Sequence, residues 1–151
     1  MREAAGFSLL EMLLVAGVMG VIAAVTVPLI AGAMDRYEVI SGGQQVVSTI
    51  RAVRFQAVAR NQRTRVRFDV PEAGQYRTEG WDPDTAAWVA LGQIQLLPRD
   101  VAFGDGAPTV EFVPTGRLPA GNPAAVLTVT NGHADDDRTI TVSTSGRVQL
   151  Q

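Results

Sequence analysis

The hydrophobic pattern separates an uninterrupted apolar run near the N-terminus from a longer part in which polar and apolar residues mix. From Met12 to Met34 every residue is apolar, Gly, Pro or Thr, a run of 23 residues. As an α-helix rising about 1.5 Å per residue, this run would reach roughly 34 Å, and the apolar core of a bilayer is about 30 Å thick. The pattern therefore predicts a membrane-spanning helix, which we place at residues 7–34.

Beyond this run, apolar residues recur at spacings of three and four between Asp35 and about Ala59, which is typical of an amphipathic helix. We predict this helix at residues 35–62, continuous with the first. Gly42 and Gly43 each lower helix propensity by about 1 kcal/mol relative to Ala, so we expect a flexible point there. Arg51, Arg60 and the Gln residues are expected to face water. The recurring residues are Tyr37, Ile40, Val47, Ile50, Val53 or Arg54, Ala57 and Val58, of which we expect a sheet to cover Val47, Ile50, Val53 and Ala57.

After Asn61 the pattern changes to a period of two, which is typical of a half-buried strand. One face would carry Thr64, Val66, Phe68 and Val70, and the other Arg63, Arg65, Arg67 and Asp69. Further short strands are predicted at 74–79, 88–91, 94–97, 110–113, 125–129, 139–143 and 147–150. Short strands separated by Gly, Pro, Asn or Asp favour antiparallel sheets, and an amphipathic helix would cover one face. The predicted fold class is α+β, with a globular antiparallel β domain at residues 63–151.

Length and composition limit the possible classes of protein but do not identify a function. A chain of 151 residues accommodates one globular domain plus an appendage. The net charge of −2 is too small to indicate a polyanionic partner, although all 13 basic residues are Arg. The absence of Cys excludes disulfides and thiolate metal sites, so packing must stabilise the domain.

The residues before the apolar run differ from an ordinary secretory signal, in which small residues follow a short apolar stretch. Here the small residues Ala4, Ala5 and Gly6 precede the run, so cleavage at residues 1–6 would leave the helix on the mature chain. Glu11 is the ionisable residue beside the run. A charge at the centre of a membrane costs about 2.5 to 3.5 kcal/mol, so Glu11 either lies at the headgroup level or has a partner.

The segment Gly6-Phe7-Ser8-Leu9-Leu10-Glu11-Met12-Leu13-Leu14-Val15 resembles the signature of type IV prepilins and of the pseudopilins of type II secretion. The resemblance implies that prepilin peptidase cleaves between Gly6 and Phe7 and methylates the new amino group of Phe7. It also implies that Glu11 pairs with the N-terminal ammonium of a neighbouring subunit during filament assembly. Pro28 lies where many pilins carry a Pro that kinks the helix.

Two later segments, residues 110–117 and 140–148, resemble the C-terminal region of H-type minor pseudopilins and of similar minor pilins. They carry Phe-x-Pro-x-Gly-Arg and Ser-x-Ser-Gly-Arg-Val. The resemblance implies a minor pseudopilin of a type II secretion system, anchored once in the bacterial inner membrane with its C-terminal domain in the periplasm. Its partners would be other pseudopilins or pilins in a mixed filament, together with prepilin peptidase.

Two other functions stay open on the sequence alone. The first is a minor pilin of a type IV pilus that primes assembly or takes up DNA. The second is an ordinary single-pass membrane protein with a periplasmic β domain, for which Glu11 would have no role.

Enzymatic chemistry would have to be built around His133, which is the single His. The segment containing it and Asp135, Asp136 and Asp137 is typical of an exposed hairpin loop. We therefore expect no catalytic residue, no cofactor and no metal. Calcium at the three Asp residues is kept as an alternative, although the spaced ligands of an EF-hand loop are missing.

A basic cluster is formed by Arg60, Arg63, Arg65 and Arg67. On a strand, Arg63, Arg65 and Arg67 would stand in a row that could meet the phosphates of DNA. The other interpretation is a solvated sheet face or salt bridges between subunits. It is favoured because the net charge is negative and because Tyr76, Trp81 and Trp88 are expected to lie apart from the cluster.

Overall fold

The computed structural model of the protein describes residues 8–151, which divide into two compact units between Asp35 and Arg36. A single helix, α1, runs from Leu9 to Arg60 and contributes to both units. Gly6 and Phe7, where cleavage and methylation are predicted, lie outside the described residues.

The first unit is the N-terminal part of α1. Ser8 caps its start, because the Ser8 Oγ accepts the Leu10 N–H at 3.3 Å and the Ser8 carbonyl accepts the Met12 N–H at 3.2 Å. The backbone stays helical through Pro28. The large apolar side chains here are exposed, between 46% for Val15 and 78% for Leu9. Among the described residues, α1 is the helix that is long and apolar enough to cross a membrane.

The second unit begins with the remaining part of α1, which buries one side against two sheets. The expected contact residues Val47, Ile50, Val53 and Ala57 are all buried, which confirms that prediction, and Val39, Val46 and Thr49 join them. Tyr37 and Val58, which follow the same spacing, are instead 67% and 53% exposed. Arg51 and Arg60 face outward, as expected.

Gly42 and Gly43 form a close contact between α1 and the β domain, so the expectation of a flexible point is wrong. Both residues are helical and buried. A Cβ added at Gly42 would lie 3.2 Å from Pro98 Cδ, and one added at Gly43 would lie 3.2 Å from Leu150 Cδ1. The two glycines therefore let the helix approach the strands closely, at a cost in helix propensity that packing offsets.

The first sheet has the order β3-β2-β1-β6, and β4 also pairs with β2. Its strands are β1 (Thr64–Phe68), β2 (Gln75–Asp82), β3 (Ala87–Ala90), β4 (Gln95–Leu96) and β6 (Val110–Phe112). The second sheet has the order β5-β7-β8-β9. Its strands are β5 (Ala102–Phe103), β7 (Ala125–Thr130), β8 (Arg138–Val142) and β9 (Val148–Leu150), with a short 3₁₀ helix at Ala134–Asp136.

All pairings are antiparallel, which confirms the α+β fold class. The first strand stops at Phe68 rather than at Val70, because Asp69 has a φ of 53° in the left-handed region and breaks the extended backbone. Strand β5 and the 3₁₀ helix were not predicted. Strand β5 nevertheless places Phe103 with its ring centroid 4.9 Å from that of Phe68, so it joins the cores of the two sheets.

Candidate functional site

The outer face of the first sheet carries the predicted basic row, and we call it the arginine face. Strand β1 and the residue before it pair with β2, so that Arg63 lies opposite Trp81, Arg65 opposite Glu79 and Arg67 opposite Arg77. On the other side of β1, Glu111 of β6 lies opposite Arg65. Trp88 of β3 lies opposite Trp81. The arginine face therefore consists of Arg63, Arg65, Arg67, Arg77, Glu79, Trp81, Trp88 and Glu111.

Glu79 is the charge at the centre of the arginine face, and its side chain is only 3% exposed. The Arg65 Nε–H donates to Glu79 Oε2 at 2.5 Å, and Arg67 Nη1 lies 3.7 Å from Glu79 Oε1. Arg77 Nε lies 2.7 Å from the same Oε1, but its N–H is not directed at that oxygen, so this contact is an ion pair without a hydrogen bond. One buried carboxylate thus faces three guanidinium groups.

Arg63 has its own carboxylate partner at the other side of β1. Its Nη2 lies 2.6 Å from Glu111 Oε1, and its Nε–H donates to the same atom at 2.8 Å. Two carboxylates of this chain therefore pair with the predicted row, and with Arg77 the arginine face holds four guanidinium groups against two carboxylates. That these residues contact DNA stays a prediction.

The two tryptophans belong to the arginine face, so the expectation that both lie apart from the basic row is wrong. The guanidinium carbon of Arg65 lies 4.1 Å from the ring centroid of Trp88, and that of Arg63 lies 5.4 Å from Trp81. These are cation–π distances. Tyr76 does lie apart, because it is wholly buried on the opposite face. The period-two order of Arg77, Glu79 and Trp81 was the signal that could have placed them beside the row.

The two Gly-Arg segments form turns of the same design. In each turn a backbone N–H donates to the carbonyl four residues later, from Val113 to Arg117 and from Ser143 to Arg147, at 2.9 Å each. Each turn has a Gly with positive φ, 74° at Gly116 and 81° at Gly146.

The two turns touch each other and α1. The Arg54 Nε–H donates to the Gly116 carbonyl at 2.8 Å. A Cβ added at Gly146 would overlap that same carbonyl oxygen and the Arg54 Nε. The Leu118 N–H donates to the Thr144 carbonyl at 3.1 Å, which links the segment after one turn to the other turn. These motif residues therefore pack the helix and the two sheets together.

The loop between β7 and β8 holds His133 and the three Asp residues, and it is a hairpin connection, as predicted. His133 and Asp135 are exposed. Asp136 binds the Arg36 Nε–H at 2.8 Å, and this hydrogen bond lowers the pKa of Asp136 and raises the pKa of Arg36. Arg138 Nη1 donates to the Asp136 and Asp137 carbonyls. Within residues 8–151, no group of His, Asp and Glu side chains is arranged to hold a metal ion.

The N-terminal site residues are only partly described. Glu11 lies in the first turn of α1, among the exposed leucines of that turn. Pro28 is within the helix. The predicted roles of Gly6, Phe7, Glu11 and Pro28 stay predictions.

A family model described as type II transport protein GspH matches residues 43–146 of the chain, which is more than half of its length. No curated protein matches the sequence.

Solved structures share the fold at low sequence identity. The type IV minor pilin FimU of Pseudomonas aeruginosa is 17% identical with a TM-score of 0.63, over 78% of this chain and 90% of that one. A structure of the minor pseudopilin EpsH from the type 2 secretion system of Vibrio cholerae is 16% identical with a TM-score of 0.60, over 76% and 96%. A second EpsH structure gives 14% identity and a TM-score of 0.61, over 77% and 97%.

Proposed function

The chain belongs to the GspH family of type II transport proteins, and from this membership we propose how it works. It is a minor pseudopilin, a structural subunit that assembles with other pilin-like subunits into the filament of a type II secretion system. The observation that carries this assignment is the family match over residues 43–146, which includes the C-terminal part of α1 and strands β1 to β8. The role is structural, since subunit contacts rather than a catalytic group perform it.

The N-terminal part of α1 supports a membrane anchor. Its apolar side chains are exposed, and an exposed apolar helix of this length is stable in a bilayer or against other apolar helices. The proposal places this part in the bacterial inner membrane before assembly and in the filament core afterwards, with residues 36–151 in the periplasm. Pro28 would bend the helix where neighbouring helices pack.

Processing of the N-terminus completes the proposed assembly mechanism. Prepilin peptidase would cut after Gly6 and methylate Phe7, so the new ammonium group would lie four residues before Glu11. In an apolar bundle, a carboxylate and an ammonium each need a partner of opposite charge. Pairing of Glu11 with the ammonium of a neighbouring subunit would satisfy both groups and set the register between subunits.

Intact mass of the protein, purified from cells with and without prepilin peptidase, tests this proposal. With the peptidase we expect loss of residues 1–6 and the addition of one methyl group on Phe7. Without the peptidase we expect the full chain. Retention of residues 1–6 in both strains would contradict the filament mechanism and would leave Glu11 as a residue at the membrane surface.

A minor pilin of a type IV pilus is the second candidate function, favoured by the structural likeness to FimU. Deletion of the gene separates the two. Loss of exported proteins from the medium with pili retained supports the secretion system, and the reverse result supports the pilus.

A role in DNA uptake is tested separately by binding of duplex DNA to the purified chain. Binding that weakens when Arg63, Arg65 and Arg67 are replaced by Ala, with a smaller salt dependence, would support DNA uptake.

A further inference from the structure

The edges of the two sheets differ in how well they are covered. An uncovered strand edge presents free N–H and C=O groups that can pair with another chain, and proteins usually block such edges with charges, short strands or side chains. Strand β6 is three residues long and carries the charged Glu111. At β9, the Arg51 guanidinium donates to the Val148 carbonyl at 3.4 Å. Strand β4 is two residues long, and the Gln45 amide donates to the Leu96 carbonyl at 3.0 Å.

Strand β3 is the described edge strand with the most backbone groups left without a partner. The Leu91 N–H donates to the Thr78 carbonyl, so by alternation Val89 directs its backbone groups toward β2 while Trp88 and Ala90 direct theirs outward. Within the described residues, no backbone or side-chain hydrogen bond reaches the outward groups of Trp88 and Ala90. Two N–H groups and two C=O groups are therefore free along this edge.

The segment that contains β3 is uncharged. Residues 85–98 include no charged residue, and Val89 and Ile94 are 47% and 44% exposed. Beside the strand lies an open notch of about 200 Å³. It is lined by Gln62, Gly80, Trp81, Asp82, Val89 and Leu91. The Asp82 carboxylate is engaged in the following turn, where it accepts the Thr85 hydroxyl at 2.8 Å and the Asp84 N–H at 3.0 Å.

We propose that the free edge of β3 binds, by strand addition, an extended uncharged segment of a different filament subunit, with one apolar side chain of that segment in the notch. In such a mode, main-chain hydrogen bonds supply affinity and pockets for alternate side chains supply specificity. An uncharged occupant fits because residues 85–98 carry no charge, while the nearby Arg63, Arg65 and Asp82 are already engaged within the chain. That the bound segment comes from a filament subunit rests on the proposed function. That the edge of β3 binds an extended segment does not rest on it.

A second copy of this chain is a poorer occupant. Antiparallel pairing of two β3 edges in one continuous sheet requires a two-fold axis perpendicular to that sheet. The second half of α1 lies on the sheet, so this axis would point the α1 helices of the two copies in opposite directions. Such a two-fold pair is also closed, whereas growth of a filament needs contacts between different surfaces of the subunits.

The test uses the purified full chain in detergent micelles and a fluorescein-labelled, end-capped peptide, Lys-Thr-Val-Thr-Val-Thr-Val-Thr-Lys, as the probe. We expect saturable binding by anisotropy, together with a change in tryptophan emission, because both tryptophans of the chain lie at this edge. A peptide with the central Thr residues replaced by Pro lacks the donors that a strand needs and should not bind.

Two variants locate the site. Val89→Lys places a charge on the edge, and Ala90→Pro removes an outward donor without disturbing the pairing with β2. Each should weaken binding by at least about tenfold, Ala90→Pro through the lost main-chain hydrogen bond and Val89→Lys through a charge that an uncharged occupant cannot pair. Val126→Lys is the matched control, because Val126 is 53% exposed on β7. Equal peptide binding by Val89→Lys and the parent chain would overturn the proposal, as would the absence of peptide binding. It would also be overturned if the chain formed dimers without the peptide and Ala90→Pro made those dimers monomeric.

Discussion

Gly116 and Gly146 occupy the same position in two turns that contact each other. Both have positive φ, and the carbonyl of the first lies where a side chain on the second would begin. The sequence shows two similar Gly-Arg patterns, and these patterns alone indicate two turns. It could not show that the turns meet, because that contact depends on how two separate sheets pack on α1.

Gly146→Ala should therefore destabilise the domain by about 3 kcal/mol, from backbone strain and from overlap with the Gly116 carbonyl. The measurement is thermal unfolding of the full chain in detergent, followed by tryptophan emission. Gly121→Ala is the control, because Gly121 has a φ of 87° but open space around it. If Gly146→Ala lowers the melting temperature no more than Gly121→Ala does, the contact between the two turns does not contribute to stability.

Glu79 is a residue whose importance the sequence did not reveal. It was included in a predicted strand, yet its carboxylate is buried beneath three arginines that come from two strands. The period-two pattern places Arg77 and Glu79 on one face, but the register that sets Glu79 beside Arg65 is a property of the β1–β2 pairing.

Replacement of Glu79 by Gln should lower the free energy of unfolding by about 2 kcal/mol, because Arg65, Arg67 and Arg77 would repel one another without the central charge. This figure is below that of a fully buried pair because the three arginine side chains are 20% to 35% exposed and water screens them. Chemical denaturation compares this variant with Glu72→Gln, which changes an exposed carboxylate. Equal midpoints for the two variants would contradict a central role for Glu79.

At the scale of elements, the sequence predicted the helix from its period, and eight of the nine described strands from period-two alternation or from short stretches bounded by Gly, Pro, Asn or Asp. Strand β5 was missed because it has two residues and no alternation. The contact at Gly42 and Gly43 was misjudged because propensity describes an isolated helix, whereas here Pro98 and Leu150 pack against the two glycines. Among the candidate sites, the basic row was located correctly, but its carboxylate partners required the strand register.

The contact between α1 and the β7–β8 loop should depend on pH through Arg36 and Asp136. The pKa of Asp136 is lower in the folded chain than in the unfolded chain, chiefly because Arg36 donates a hydrogen bond to it. The contribution to stability is therefore present above the unfolded pKa of about 3.9 and is lost as the pH falls through the lower folded pKa.

Asp136→Asn should remove this part of the acid sensitivity. We expect the difference in melting temperature between the parent chain and the variant to be largest near neutral pH and to shrink below about pH 4. Asp135→Asn is the control, because Asp135 is exposed and Arg36 hydrogen-bonds its neighbour instead. A pH-independent difference between parent and Asp136→Asn would mean that the contact acts through packing rather than through charge.

At the scale of the whole molecule, the two units differ in how their apolar side chains are removed from water. The second unit buries a core and has hydrogen-bonded sheets. The first unit exposes its large apolar side chains along the helix. A bilayer or a bundle of similar helices would cover these side chains, as the proposed membrane anchor and filament core require.

Glu11→Ala should leave the domain folded and the chain in the membrane, yet reduce its incorporation into filaments by at least about tenfold, the effect of one unpaired charge in an apolar bundle. Sheared filaments and membranes, separated by centrifugation and probed for the protein, give the two amounts. Glu38→Ala, which changes a carboxylate in the second unit, is the control. Normal incorporation of the Glu11 variant would show that charge pairing does not set the register.

The contact between the two Gly-Arg turns also bears on mutational tolerance. The Gly116 carbonyl, which Arg54 hydrogen-bonds, fills the space of a Cβ at residue 146, so any side chain at residue 146 abolishes the contact. Saturation mutagenesis across residues 36–151 should then find two sharply intolerant positions, Gly116 and Gly146, within loops where neighbouring Thr and Ser residues accept most replacements. The other residues of these loops can then differ between related sequences without a shift of one sheet relative to the other.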